Sequence, residues 1–482
     1  MGISGALNNA LTGLAASARM AEVVSTNLSN ALTEGYARRD VSLSSAQVGG
    51  SGGGVRIDGI TRFVDTGLLA DRRLADAALA GHERTADFLV RLEQSIGAAD
   101  DPANIPARLS QLEAALIRTT ADPASDQRLG AVVNRLEDLV STIRNANTGL
   151  QELRQEADAA IATDVASLNT NLARIEVLNS DILRLAGSGD DVSAMLDARQ
   201  RLVDNIGELV PVRASVRDDG TVRLMTTSGL TLVDGRAVSF EFQKTPTITG
   251  DMTLASGALS GITLDGQPLD PGDGVGRLDG GAIGAAFALR DRTLPEAQAE
   301  LDRFAADLIA RFQDTANDPT ITTGSPGLLT DEGGTLDPAD IPGLAGRVGV
   351  NPAIVTVQGG DPALLRDGLG AAPASPNSNT EQINRWIDAI GVARADIPGS
   401  PSQSAAGRAG ALVSLVATTR MQAEEEAGFA ASRWSVLKEA ELADGVDTDN
   451  ELQTLIQVEQ FYAANAKVIE TVDFMMRRLM EI

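Results

Sequence analysis

Cysteine is absent from the 482-residue chain, which removes disulfides, thiolate metal sites and cysteine nucleophiles together. Histidine is nearly absent too: His82, flanked by Glu83 and Arg84, is the single copy and reads as a surface residue. Aromatic residues make up only 3%, so the core must be built from Leu, Val, Ile and Ala, which suits helix packing better than a β-sandwich. Lysine occurs only at positions 244, 438 and 467, and the net charge is −26. That balance argues against nucleic acid or an anionic membrane as a partner. No apolar run approaches the ~18 residues needed to cross a bilayer. The start, Met1-Gly2-Ile3-Ser4-Gly5, has no cationic n-region, and Ala6 stands where myristoylation needs Ser or Thr. If the chain is exported, a route other than the general secretory one is expected.

What the chain does have is concentrated at its ends. Residues 3–33 and 449–482 each read as one long apolar-striped helix. Ile3, Leu7, Leu11, Leu14, Val24 and Leu28 form the first stripe, with Ala10 and Ala21 between them. Leu452, Leu455, Val458, Tyr462, Ile469, Val472, Met476 and Leu479 form the second, with Asn465 in its course. Steps of three and four residues place each set on one side of a helix, as in a coiled-coil seam. A helix of ~30 residues spans ~45 Å, more than a small domain's edge can cover. The expectation is that each end finds its partner in another copy and stays largely unfolded in the free chain.

Between the ends, the expected fold is mainly α, a helical bundle built from both chain halves with a β-rich domain inserted in the middle. An assembly helix over 1–35, stopped by Gly35 as a left-handed cap, leads into an extended loop and helical bundle over 36–209. Short strands Val41-Ser42-Leu43 and Val55-Arg56-Ile57 flank a loop at 49–54; helix follows over Thr66–Ile96, breaks near Pro102 and Pro123, and runs over Asp126–Leu185 as one helix or two. A capped helix is expected at Asp191–Gly207. From Val210 the period changes to two, and Asp218-Asp219-Gly220 marks a hairpin; 210–290 is the β-rich insertion. Residues 291–402 carry a helix at Thr293–Gln313, a Gly/Pro-rich loop over 314–379 and a helix at Thr380–Ile390. A return helix over 403–445 and an assembly helix over 446–482 complete the chain.

Catalytic constellations are not expected, and neither is a cofactor or a metal. The run Gly49-Gly50-Ser51-Gly52-Gly53-Gly54 lacks the Lys-Ser/Thr of a phosphate cradle and opens no helix. Asp447-Thr448-Asp449-Asn450-Glu451 starts like a calcium loop, but Leu452 stands where Gly is required and Val458 where a bidentate Glu is required. It reads instead as a capping box, with Thr448 as N-cap and Glu451 at N3. Glu424-Glu425-Glu426 reads as a solvated helix face.

Two stretches carry a family resemblance. Ser25-Thr26-Asn27-Leu28-Ser29-Asn30-Ala31-Leu32-Thr33-Glu34-Gly35-Tyr36-Ala37-Arg38 resembles the signature of bacterial flagellar axial proteins, an Asn-rich helix end followed by Thr-x-Gly-Tyr-x-Arg. Gln457 through Ile469 resembles their C-terminal motif. Asp122-Pro123-Ala124, Leu178-Asn179 and Leu196-Asp197-x-Arg199-x-x-Leu202-Val203 are similar to the hook-associated members of that group. Glu34 stands in place of a common Pro, and Ala31-Leu32 interrupts the usual Asn-x-x-Thr run.

The resemblance implies a structural subunit of the bacterial flagellum that polymerises on the hook tip and joins hook to filament. Hook or rod protein is the alternative, and a secreted adhesin a more distant one. It further implies export by the flagellar type III apparatus to the cell exterior. Implied partners are other copies, hook protein, the next junction protein, and an export chaperone at the C-terminal helices. Expected assembly residues are Ile3, Leu7, Leu11, Leu14, Val24, Asn27, Leu28, Asn30, Gly35, Tyr36 and Arg38 at the front. At the back they are Leu452, Leu455, Val458, Tyr462, Asn465, Ile469, Val472, Met476 and Leu479.

Overall fold

The computed structural model describes residues 2–48, 51–188, 190–270, 274–372, 378–395 and 402–480. The chain opens with helix α1 (Ile3–Ser29) and an antiparallel hairpin, β1 (Arg39–Val48) with β2 (Ser51–Arg62). Helix α2 (Thr66–Ile96) starts where Asp65 accepts hydrogen bonds from the amides of Gly67 and Leu68. Helix α3 (Ile105–Thr120) starts on the Asn104 side chain, with Pro106 in its first turn, where no intrahelical donor is lost.

Helix α4 (Asp126–Ser188) is unbroken over 63 residues, about 95 Å at the α-helical rise. Gly130 and Gly149 do not break it because its apolar stripe is continuous and buried. Both hydrophobic cores are built on this spine. The first joins Leu129–Ala157 of α4 to the end of α2, to α3, and to α7 (Leu294–Phe312). Helix α10 (Glu381–Gly391) and the first half of α11 (Ala405–Ala443) complete it, so both halves of the chain meet here.

The second core joins Ile161–Ile175 of α4 to α5 (Ser193–Leu209) and α6 (Gly281–Ala288). Its strands form a four-stranded antiparallel meander of β3 (Val212–Val216), β4 (Val222–Thr226), β5 (Thr231–Asp234) and β6 (Arg236–Ala237). A smaller three-stranded sheet comprises β7 (Phe240–Glu241), β8 (Thr263–Leu264) and β9 (Gln267–Pro268).

A buried polar layer separates the two cores. Arg290, wholly buried in a π-helical turn after α6, donates to Asp158 of α4 at 2.7 Å and to Ser260 O at 2.9 Å. Its guanidinium lies 4.8 Å from the Phe287 ring centroid and 5.6 Å from that of Phe242. Arg154, one turn before Asp158, donates to the carbonyls of Thr249, Met252 and Arg290. Burial pushes its pKa down.

Several expectations need correcting. Helix α1 ends at Ser29 with Asn30 as C-cap, so Gly35 is not the cap. Gly35 lies beyond it in a turn with φ +72°, where a Cβ would come within 2.5 Å of Arg201 Cγ. Ser51–Gly54 belong to strand β2; residues 49 and 50 of the expected loop lie outside the described residues. Helix α6, in the stretch expected to be β-rich, is dense in glycine and alanine and lacks a helical apolar period. Of the stretch expected as a loop, 314–379, residues 314–372 are folded onto the first core, and 373–377 lie outside the described residues. Leu328, Leu329, Leu344, Ile354 and Leu365 are buried there through strands β10 (Leu329–Asp331) and β11 (Val348–Val350) and short helices α8 (Leu344–Arg347) and α9 (Leu364–Asp367). The last helix, α12 (Thr448–Met480), is capped by Asp447, which accepts from the amides of Asp449 and Asn450; Thr448 is already helical. Among the described residues, no helix is long and apolar enough to cross a membrane.

Candidate functional site: the terminal clasp

The terminal helices are not without partners in a single chain, as the sequence suggested. Helix α1 packs on α12 and on the β1/β2 hairpin. Asn27 meets Glu451 at one end of the pair, and Gly13 lies under Asn465 fourteen residues back on α1 and fourteen forward on α12. The two helices are therefore antiparallel.

The buried face of α1 is made of Ala10, Ala16, Ser17, Val23, Val24 and Asn27. These residues are small, so the backbones approach closely. The leucine row expected to form the seam is turned aside: Leu11 and Leu28 are exposed, and Leu7 and Leu14 are half-buried. On α12, Val458 and Val472 are buried and Leu455, Asn465 and Ile469 half-buried, as the stripe predicts for a helix-facing row. Leu452, Tyr462, Met476 and Leu479 remain exposed, and so do Phe461, Val468 and Met475, which were not expected as site residues. The wide apolar face of α12 thus has flanks that its own chain leaves open.

The signature residues meet at one buried point. Side chains in the last turns of α1 bond back to backbone carbonyls (Thr26 to Glu22, Ser29 to Ser25, Asn30 to Thr26), a local competition that helps end the helix. Asn27 itself points inward and is fully buried. Its Oδ1 accepts from Tyr36 OH at 2.7 Å and from Arg39 N at 3.0 Å. Its Nδ2 donates to Arg39 O at 2.8 Å and to Glu451 Oε2 at 3.1 Å. All four hydrogen-bonding positions of the amide are filled, and its orientation is fixed by backbone partners. Glu451 completes the cluster, with Oε1 accepting from Arg38 Nε at 2.7 Å. Arg39, stacked 4.8 Å from the Tyr36 centroid, and Arg62 both pair with Asp197 on α5. One cluster therefore ties α1, the hairpin and α12 to the body.

Sequence reasoning found Asn27, Tyr36 and Arg38 but assigned Glu451 to a cap. The signal it passed over is an acidic residue on the a-type row of α12, seven before Val458. Asn30 and Gly35 lie beside the cluster. His82 is partly exposed, 3.2 Å from Glu426.

Desolvation, with the nearby Asp197 and Glu451 carboxylates, raises the Tyr36 pKa above its usual value against an opposing effect of Arg39. A raised pKa means that Tyr36's contribution is complete below the unfolded value near 10 and is lost as pH rises through the folded one. Alkaline titration followed by tyrosinate absorbance should therefore show a late phase from Tyr36. Tyr36→Phe should remove that phase and cost the terminal pair ~1 kcal/mol. A late phase of the same size in the Tyr36→Phe variant would refute the buried hydrogen bond.

Helices from both ends of one chain are clasped to each other and anchored on a helical body. The description "Flagellar hook-associated protein FlgK helical domain" matches residues 89–328, and that of the flagellar basal body rod FlgEFG protein C-terminal matches residues 443–482. Flagellar hook-associated protein 1 of Salmonella typhimurium is 28% identical over 243 residues, covering 48% of this chain and 43% of the relative. That of Bacillus subtilis is 20% identical over 500 residues, covering 97% and 96%. The chain thus matches less than half the length of the Salmonella relative. The hook junction protein FlgK of Burkholderia pseudomallei, a solved structure, gives a TM-score of 0.42 at 19% identity over 55% of this chain and 46% of that one. The chain is similar to flagellar hook-associated protein 1, a structural protein of the bacterial flagellum, most strongly over residues 89–328.

Proposed function

We propose that this chain is a structural subunit of the hook–filament junction. It would polymerise on the hook tip through its terminal helix pair and receive the next junction protein above it. The observation that supports this reading is the apolar surface left open on that pair: Leu11 on α1, and Phe461, Val468 and Met475 along α12. These α12 residues recur every seven positions beside the row facing α1, so a neighbouring helix would cover them as a second seam. Exposed contiguous apolar surface of this kind marks an interaction site. With a net charge of −26, association must be driven by burial of such rows against like-charge repulsion.

In this reading, residues 1–35 with 446–482 form the assembly unit, 36–209 with 291–445 the body, and 210–290 an outward insertion. Export by the flagellar type III apparatus, with a chaperone holding the C-terminal helices, would keep the open rows covered until the chain reaches the cell exterior.

The test uses the double variant Phe461→Asp, Val468→Asp in a strain lacking the native chain. Both side chains are exposed in the free protein, so its melting should stay within ~0.5 kcal/mol of the parent. Cells should be non-motile, with bare hooks and filament protein lost to the medium. Normal filaments would sink the proposal.

A further inference from the structure

We infer that Glu451 and Asn465 are register-determining residues. Together with Asn27 and Gly13 they permit only one axial alignment of α1 on α12, and so decide which apolar rows the pair presents. The alignment itself is a property of the single chain; its consequence for assembly rests on the function proposed above.

Asn27 opposes Glu451, and Gly13 opposes Asn465, with fourteen residues between the two points on each helix. Ala6 and Val472, a further seven along on each, line one shallow groove. Four layers at heptad spacing follow, with Met20 aligned on Val458 in the remaining one. Apolar layers of small residues alone fix register weakly, because a shift by one heptad offers nearly the same surface. The Asn27–Glu451 layer fixes it well, because each group needs its own partner, and the Gly13 layer fixes it by shape, because only a glycine admits the Asn465 amide there.

Consider the two nearest slips. If α12 moves so that Glu451 faces Met20, its carboxylate is buried away from both the Asn27 amide and Arg38. Asn465 then faces Ala6, which carries the Cβ that Gly13 lacks, and the branched Val458 side chain faces the notch at Gly13. If it moves the other way, Val458 faces Asn27 and leaves Nδ2 without its second acceptor, since Arg39 holds the amide orientation. Asn465 then meets the Met20 side chain. In the native register that amide lies where a Cβ on Gly13 would stand, 2.8 Å from Nδ2 and 2.9 Å from Oδ1. A glycine is needed there to admit it. Each slip therefore costs a buried polar group and a steric misfit together.

Absence of cysteine makes the test clean. Ser4→Cys and Phe474→Cys, both exposed in the full chain, would carry nitroxide labels for distance measurement by pulsed electron resonance at a concentration where the chain is monomeric. The parent background should give one narrow distance. In the background Arg38→Met, Glu451→Leu, Asn465→Leu, no guanidinium or carboxylate is left unpaired, and a second population should appear, displaced by one heptad, ~10 Å along the axis. A single unchanged distance in that background would overturn the inference. So would outright separation of the helices, which would make these residues the source of attraction rather than of alignment. Because the measurement is made on isolated chains, it stands or falls separately from the motility test.

Discussion

Glu451→Ala is expected to loosen the terminal helix pair while leaving the body intact. The Glu451 side chain is 1% exposed and accepts from both Arg38 and Asn27. Alanine leaves the buried Asn27 amide N–H facing a void and removes the partner of Arg38, whose side chain is 28% exposed and can turn to water, so the cost is about 1–3 kcal/mol. Asn27 keeps its three other bonds, so the damage is local to the joint between α1, the hairpin and α12. Amide exchange should accelerate at least tenfold across 3–29 and 448–480 and stay slow in α4. Glu451→Gln should fall between parent and alanine, since Arg38 and Asn27 bond to different oxygens of the carboxylate and the amide offers one oxygen and, in place of the other, an NH2 donor. Unchanged protection of the two terminal helices in the alanine variant would show that the cluster contributes nothing.

The second large effect belongs to the middle of the molecule. Arg290→Met should destabilise the body by about 3–5 kcal/mol, seen as an earlier thermal transition. Arg290 and Asp158 are both wholly buried, and Asp158 also accepts from Thr245 N at 2.8 Å. Methionine fills much the same space between Phe242 and Phe287 but leaves the Asp158 carboxylate in the interior without a cation. Adding Asp158→Asn should recover much of the loss, because the remaining group is neutral and can keep the Thr245 bond. If the double variant were no more stable than the single one, the ion pair would not be the source of the effect. This layer joins α4 to the strand-bearing segment, so its failure should expose 240–290 to proteolysis before the first core opens.

Local physics made much of this legible in advance. Thr66–Ile96 was read to the residue because Asp65 supplies a cap and the apolar spacing is regular. The β3/β4 hairpin followed from alternation around Asp219-Gly220, and its register runs from Val212 opposite Thr226 to Val216 opposite Val222. The clasp was half legible: Asn27, Tyr36 and Arg38 lie within twelve residues of one another and form a motif, whereas Glu451 is 424 positions from Asn27. Helix α6 and the folding of 314–372 onto the first core were not legible. Both are rich in Gly, Pro or Ala, and what orders them is burial against distant helices rather than propensity.

The sequence by itself determined that this is a helical, cysteine-free, strongly acidic chain with apolar stripes at both ends, because those features depend on composition and on neighbours a few residues apart. Tertiary structure alone decided that the two ends lie against each other, that small residues rather than leucines form their seam, and that Glu451 closes the cluster at its root. The physical reason is that a helix with several apolar rows can bury only some of them against one partner. Which rows are taken depends on how closely the backbones approach and where the buried polar groups find their complements, and no local pattern encodes that.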